Sequence, residues 1–438
     1  MFNLENSKFF QKFVAIASKI GEQIHLSSLR DGFATLMPLF ILAGLAVLVN
    51  HVIFPFFLEG ETLSTVNMFG NALTNGTLNI AGLLLCPAIA YSLAKNRGFS
   101  TPFTASMVAL STLVIMMPMS VMMTPAGLEE AVSISGVLTF GNIGTTGMFA
   151  GILVGLGSTE IFTRLSGLKQ LRINLGTDVP PAVGKAFSTM VPTIITLSIF
   201  AALNLFLFVV VGADLITLIT NLIQAPLRGI STSLIGYLFL YSLGNMLFAF
   251  GIHQSVINGP FTEPFLLMNM NENMLAFQNG EEPMHILNSS FQAVYAQMGG
   301  TGATISLIIA IFLFSKRRSN KEIAKLAVAP GIFEINEPII FGIPIVYNLP
   351  LMIPFVLLPV LQTLIGYFAT SIGLVSILKV QIPWITPPII SGWLASAGDI
   401  RVPILQIFLI IFGVICYLPF LKISDMVAER AAAKSAEN

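Results

Sequence analysis

Long apolar runs, almost free of charge, constrain this chain more than any other feature. Segments 33–53, 77–95, 101–123, 145–162, 187–211, 230–252, 301–314, 350–372 and 403–421 contain only Lys95 and Glu160 as charged residues. A helix of about 20 apolar residues crosses the roughly 30 Å hydrocarbon layer of a bilayer, so these runs predict an all-α polytopic membrane protein. Composition agrees. Of 438 residues 55% are apolar and 10% charged, whereas a soluble domain carries about 25% charged residues. Lys plus Arg (21) balance Asp plus Glu (21), which argues against a nucleic-acid partner. Cys86 and Cys416 lie far apart inside apolar runs, a pattern that offers neither a disulfide framework nor a zinc site. The first thirty residues lack a compact apolar block with a small-residue cleavage site, so no removable signal is expected.

Orientation follows from lysine and arginine, which collect in cytoplasmic loops. Lys95, Arg97, Arg164, Lys169, Arg172, Lys185 and the run Lys316, Arg317, Arg318, Lys321, Lys325 mark the inside. Segments 54–76, 124–141 and 253–300 have neither residue type and are placed outside. The shorter run 214–224, below spanning length, either supplies a sixth crossing or lies flat; counting it as a crossing gives about ten transmembrane helices with both termini cytoplasmic. Residues 1–30 place Lys8, Lys12, Lys19 and Arg30 opposite Phe9, Phe10, Phe13, Ile16 and Ile20, the pattern of an amphipathic surface helix. The chain divides into an N-terminal five-helix half, 31–211, expected to be scaffold or dimer surface, and a C-terminal half, 212–421, expected to bind substrate. A cytoplasmic tail, 422–438, follows.

Two stretches are apolar but broken by proline and glycine, 330–347 and 383–399. Irregular backbone at membrane depth is tolerated where it is buried in protein or lines a watery cavity. Both are read as re-entrant hairpins. The first holds Glu334 and Glu337 with Asn336, and a carboxylate within a bilayer is costly enough to be a functional candidate. On a helical turn their spacing would put both acids on one face. Such a group can accept a hydrogen bond from a sugar hydroxyl, and its proton when the hydroxyl attacks, which makes both acids candidates, Glu334 ahead of Glu337. Glu337, just before Pro338, could instead brace the hairpin. His253, Gln254 and Asn258 supply directional donors and acceptors after a long apolar helix. Trp384 and Trp393 both fall in the second broken stretch, and an indole can cover the apolar face of a sugar or sit in an interfacial belt. His25, His51 and His285 stand in surface or loop contexts. No nucleotide or metal motif is found, so no metal and no cofactor is expected.

At "GIFEINEPIIFGIP" (331–344) the sequence resembles the membrane subunit, IIC, of the lactose, cellobiose and diacetylchitobiose family in the bacterial phosphoenolpyruvate:sugar phosphotransferase system. "HLSSLRDGFATLMPL" (25–39), "GTDVPPAVGKAF" (176–187), "FGIHQ" (250–254) and "VQIPWITPPIISGWLASAGDIRVPILQ" (380–406) extend the resemblance along the whole chain. It implies a homodimer in the bacterial inner membrane, ten spans and two hairpins per protomer, and a disaccharide bound in the C-terminal half. It also implies group translocation, in which a IIB subunit, charged by IIA upstream, passes phosphoryl from its cysteine to the sugar 6-hydroxyl. Neither cysteine here has the hydrophilic setting of such a site, so IIB is expected on a separate polypeptide. By matching position, Glu334 would contact the hydroxyl, His253 would bind the sugar nearby, and Trp384 would lie in the sugar-facing hairpin. Basic cytoplasmic loops would help a negatively charged donor approach. A proton-coupled secondary sugar transporter using Glu334 and Glu337 as relay, and a sugar sensor without transport, are the competing readings.

Overall fold

A computed structural model describes residues 23–124, 130–176, 179–343, 345–346 and 348–436. The expected surface helix therefore lies mostly outside the described residues, as do Glu129 and part of the 176–187 motif. The chain is mostly helical. Its principal elements are α1 (Ile24–Leu48), α2 (Gly60–Asn75), α3 (Ala81–Asn96), α4 (Pro102–Ile115), a hairpin of β1 (Ser120–Met123) and β2 (Val132–Ser135), α5 (Met148–Gly167) and α6 (Pro181–Phe206). After them come α7 (Leu234–Ala249), α8 (Glu263–Gln278), α9 (Thr304–Phe314), α10 (Arg318–Ile332), α11 (Glu337–Gly342), α12 (Leu349–Ser371), α13 (Ile390–Ala395) and α14 (Arg401–Ala436).

Among the described residues six helices are long and apolar enough to cross a membrane, or up to seven if Leu215–Ser231 and Leu234–Ala249 form one bent span. Two of the expected runs yield shorter helices. Helix α4 ends at Ile115, where the chain passes Pro118 into the β hairpin, and the start of run 301–314 is taken up by left-handed backbone, so α9 begins only at Thr304. At 1.5 Å per residue, the 11 residues of α9 are about 16 Å long, too short to cross alone.

The chain forms two compact units, Glu22–Phe40 with Ala72–Gly229, and Ile41–Asn71 with Ile230–Asn438. This differs from a single cut near residue 211, because 41–71 belongs with the C-terminal elements. The reason is local packing: an added Cβ at Gly44 would lie against the Gln381 carbonyl, and the His51 ring meets Phe277 at 5.2 Å.

In the first unit α3 and α5 touch backbone to backbone. A Cβ added at Gly151 would stand 2.7 Å from the Gly82 carbonyl oxygen, and one at Gly155 2.8 Å from that of Cys86. Small residues at four-residue spacing permit this approach, which gives helices in lipid the dispersion contact that hydrophobicity cannot provide there. At the lysine- and arginine-rich end, Glu160 gathers Arg97 at 2.5 Å, Arg164 at 2.5 Å and His25 at 3.4 Å.

The second unit holds the broken stretches. Region 253–300, expected as an outside loop, is folded and largely buried. Asn273 on α8 donates to the carbonyls of His285 and Leu378 at 2.8 and 3.0 Å, Asn288 donates to Leu378 as well, and Asn269 donates to Leu287 at 2.7 Å. Asparagine amides thus take over backbone groups that a loop would otherwise leave to water. Glu272 pairs with His285 at 2.7 Å at the rim.

The glycine contacts on α5 generate a paired prediction. Gly155→Ala should destabilise the protein by about 1–3 kcal/mol through overpacking. Gly157→Ala, whose Cβ would meet nothing closer than Phe200 at 3.9 Å, should be neutral or gain up to about 1 kcal/mol of helix propensity. Thermal unfolding of the two variants in detergent checks the opposite signs; equal midpoints would refute the close-contact account.

Candidate functional site

Helix α10 stops at Pro330 and Gly331 by a defined end. The amide of Ile335 donates to the Pro330 carbonyl at 2.9 Å and that of Glu334 to Gly331 at 3.2 Å. This is the Schellman pattern, whose left-handed position is usually glycine. Here it is Glu334, with φ of 66°. A left-handed non-glycine residue costs roughly 1–2 kcal/mol, and strain of this kind clusters at functional sites.

The chain then turns back. Asn336 precedes α11, whose first turn carries Glu337 and Pro338, and a Cβ on Gly342 would press on Ile323 of α10. The two arms therefore lie side by side as a helical hairpin. Its first arm reaches back to Arg318, well before the 330 boundary read from the sequence, because the amphipathic helix ahead of Pro330 joins it.

Facing Glu334 is a loop that the sequence reading did not single out. Gly299, Gly300, Gly302 and Ala303 all have positive φ, 79°, 89°, 80° and 52°. The Gly300 amide donates to Glu334 Oε2 at 2.7 Å, a donor shared with the Gln297 carbonyl. Asn336 Nδ2 donates to the Thr301 carbonyl at 2.7 Å, Tyr417 Oη to Gly302 at 2.7 Å, Tyr241 Oη to Ala296 at 3.1 Å, and Thr304 Oγ1 to Gly299. Side chains from α7, α9, α14 and the hairpin thus bond four carbonyls and one amide of one irregular segment. A Cβ at Gly300 would fall 2.6 Å from Asn336 Cγ, and one at Gly302 would enter the Phe355 ring. Only glycine fits. The sequence signal was the "GGTG" spacing just before an apolar helix.

Glu334 is 9% exposed and Asn336 is buried, whereas Glu337 is exposed. The expectation that both acids share one helical face fails, because the left-handed turn at Glu334 separates them and Glu337 opens a new helix. His253 Nδ1 accepts from the Ser255 amide at 3.2 Å, which assigns the neutral ring's proton to Nε2. Its ring lies 4.9 Å from Phe248, which in turn meets Phe355 at 6.1 Å, the same Phe355 that confines Gly302. Gln254 accepts from Asn258 Nδ2 at 3.0 Å, and Asn258 is buried over Gly244. Asn245, one turn beyond Tyr241, is buried in the same region.

The second broken stretch is held differently. Gln406 Oε1 accepts from the amides of Ile389 and Gly392 at 2.9 and 3.0 Å, while its Nε2 donates to the Val294 carbonyl and to Ser391 Oγ. Asp399 bridges Arg401 at 2.9 Å and caps the Ser376 amide. Trp384 is 57% exposed, and its ring makes no aromatic contact among the described residues. Glu334, Asn336 and the glycine loop are thus brought together, His253 adjoins them through Phe248 and Phe355, and Trp384 and Glu337 stand apart. Chemically, the centre offers a carboxylate pre-oriented by a backbone amide, with amide and imidazole donors nearby.

The model for the phosphotransferase system EIIC family matches residues 30–359. The lichenan permease IIC component of Bacillus subtilis (strain 168) is 32% identical over 427 residues, covering 97% of this chain and 94% of that protein. The cellobiose-specific EIIC component of Geobacillus stearothermophilus is 32% identical over 438 residues, covering 97% and 95%. The crystal structure of the transporter ChbC, the IIC component from the N,N'-diacetylchitobiose-specific phosphotransferase system, superposes with a TM-score of 0.90 at 32% identity, covering 97% of this chain and 99% of that one. Its apolar helices and these matches together make the chain a member of the EIIC family: a membrane-embedded sugar permease component of the phosphotransferase system.

Proposed function

We propose that this IIC component takes up a disaccharide of the cellobiose, diacetylchitobiose or lactose class and delivers it inward for phosphorylation at the 6-hydroxyl by phosphorylated IIB. The observation that carries this reading is the fixed glutamate. Glu334 stands at a strained helix end with one carboxylate oxygen on the Gly300 amide, which leaves lone pairs to receive a hydroxyl hydrogen. In the transfer, the sugar oxygen forms a bond to phosphorus as the sulfur–phosphorus bond of the IIB phosphocysteine breaks. The hydroxyl proton passes to Glu334 and the thiolate remains on IIB.

His253, Gln254, Asn258 and Asn336 serve as the polar contacts to the sugar, with Trp384 as its apolar platform and Glu337 as a further ligand. The unit containing 230–438 binds substrate, and the other is the scaffold through which two copies pair. Ten crossings, two re-entrant hairpins and cytoplasmic termini in a bacterial inner membrane complete the reading. Membership in the EIIC family favours it over a proton-coupled transporter.

Glu334→Gln keeps shape and removes the base. Disaccharide binding to purified protein should persist, while sugar phosphate formed with phosphorylated IIB should fall by about 10²–10⁴-fold. Undiminished product would take Glu334 out of the chemistry. Trp384→Ala should weaken binding of every disaccharide by about 1–3 kcal/mol if an exposed indole stacks on sugar as aromatic platforms stack on bases; unchanged titration curves would assign the ring to lipid.

A further inference from the structure

Helix α10 carries a second feature besides Glu334. Five cations fall within ten residues at its start: Lys316, Arg317, Arg318, Lys321 and Lys325. Its opposite face, Asn320, Ala324, Ala327 and Gly331, is buried. Lys325 pairs with Glu322 at 3.0 Å; the other four cations form no ion pair among the described residues. An acid does stand beside them. Asp425 of α14 spends both oxygens on neutral donors, Ser315 Oγ and Asn320 Nδ2, each at 2.8 Å. It fixes the helix start to α14 without neutralising the charges. The cations also crowd the helix's positive end, where the dipole disfavours them. Leu326, 77% exposed, adds an apolar contact on the same helix.

We propose that this face of α10 is the docking surface for phosphorylated IIB; the inference rests on the phosphotransfer reading above and adds where the donor sits. The charge complements a phosphoryl-bearing partner. Position argues likewise: at 1.5 Å per residue, Lys325 lies about 14 Å along the helix from Glu334 and Arg318 about 24 Å, while a domain of about 100 residues has a radius of gyration near 13 Å. A donor seated on this arm has Glu334 within the span of its own body. The rule that cations mark the inside accounts for their number. It does not require that they be left unpaired on the arm that ends at the glutamate.

The test uses the full chain in vesicles, with Lys316→Gln, Arg318→Gln and Lys321→Gln combined. The KM for phosphorylated IIB should rise tenfold or more at low salt, in the range of electrostatic steering, and the gap should close as salt is raised. Turnover at saturating IIB and the Kd for disaccharide should stay at wild-type values. The charge-preserving combination Lys316→Arg with Lys321→Arg should behave as wild type. Sedimentation of phosphorylated IIB with the vesicles reads docking independently of turnover, and should weaken in parallel. An unchanged KM and unchanged sedimentation would overturn the surface. So would a response that follows the anionic-lipid content of the vesicles and not IIB, which would make the patch a headgroup contact. Wild-type protein that retains IIB but yields no sugar phosphate would refute the phosphotransfer reading and leave the docking surface standing.

Discussion

Backbone that leaves the helix in a buried setting must find its hydrogen bonds within the protein, and the buried segment from Ala296 to Ala303 shows how this chain meets that demand. Its carbonyls are taken by Tyr241, Thr304, Asn336 and Tyr417, and the Gly300 amide by Glu334. Each unsatisfied group of this kind would cost several kcal/mol in hydrocarbon. The glutamate therefore does structural work and offers chemistry at once: the bond that satisfies the amide also aims the carboxylate. The fully buried Tyr241 on α7 and Tyr417 on α14 belong to the same arrangement, since their phenols donate to the carbonyls of Ala296 and Gly302.

The other broken stretch solves the same problem with a neutral group. Gln406 accepts from two amides and donates to a carbonyl and a hydroxyl, so one side chain closes the turn around Ile389. An amide satisfies backbone as well as a carboxylate does and carries no charge into a low dielectric. Left-handed backbone at non-glycine residues occurs in both stretches, at Glu334 in the first and at Ile389 and Ala397 in the second, so what sets the first hairpin apart is the buried carboxyl group of Glu334 itself.

Much of this was legible in the sequence. An acid within an apolar, proline-broken stretch is conspicuous because it is costly, and that reasoning drew attention to Glu334 and its neighbour Asn336, both of which bond the glycine loop. Glu337 did not follow in the same way, because a three-residue spacing implies one face only if the helix continues, and φ at Glu334 breaks it. The glycine loop was missed because its function is carried by main-chain atoms, which side-chain chemistry does not advertise. Region 253–300 looked like solvent-exposed loop since it lacks lysine and arginine; its asparagines are instead buried, bonded to backbone. Crossing number was harder to read than helix existence, for hydropathy records how apolar a run is and not where a left-handed residue cuts it short.

The boxed glycines have an evolutionary corollary. Because a single methyl at Gly300 or Gly302 would collide with Asn336, Glu334 or Phe355, the centre of this site has almost no mutational freedom of its own. Variation in what the chain prefers must therefore arise at the periphery, among residues with open space, while the glycine centre stays frozen. A lineage could thus diversify its diet without ever risking the step that traps the nutrient.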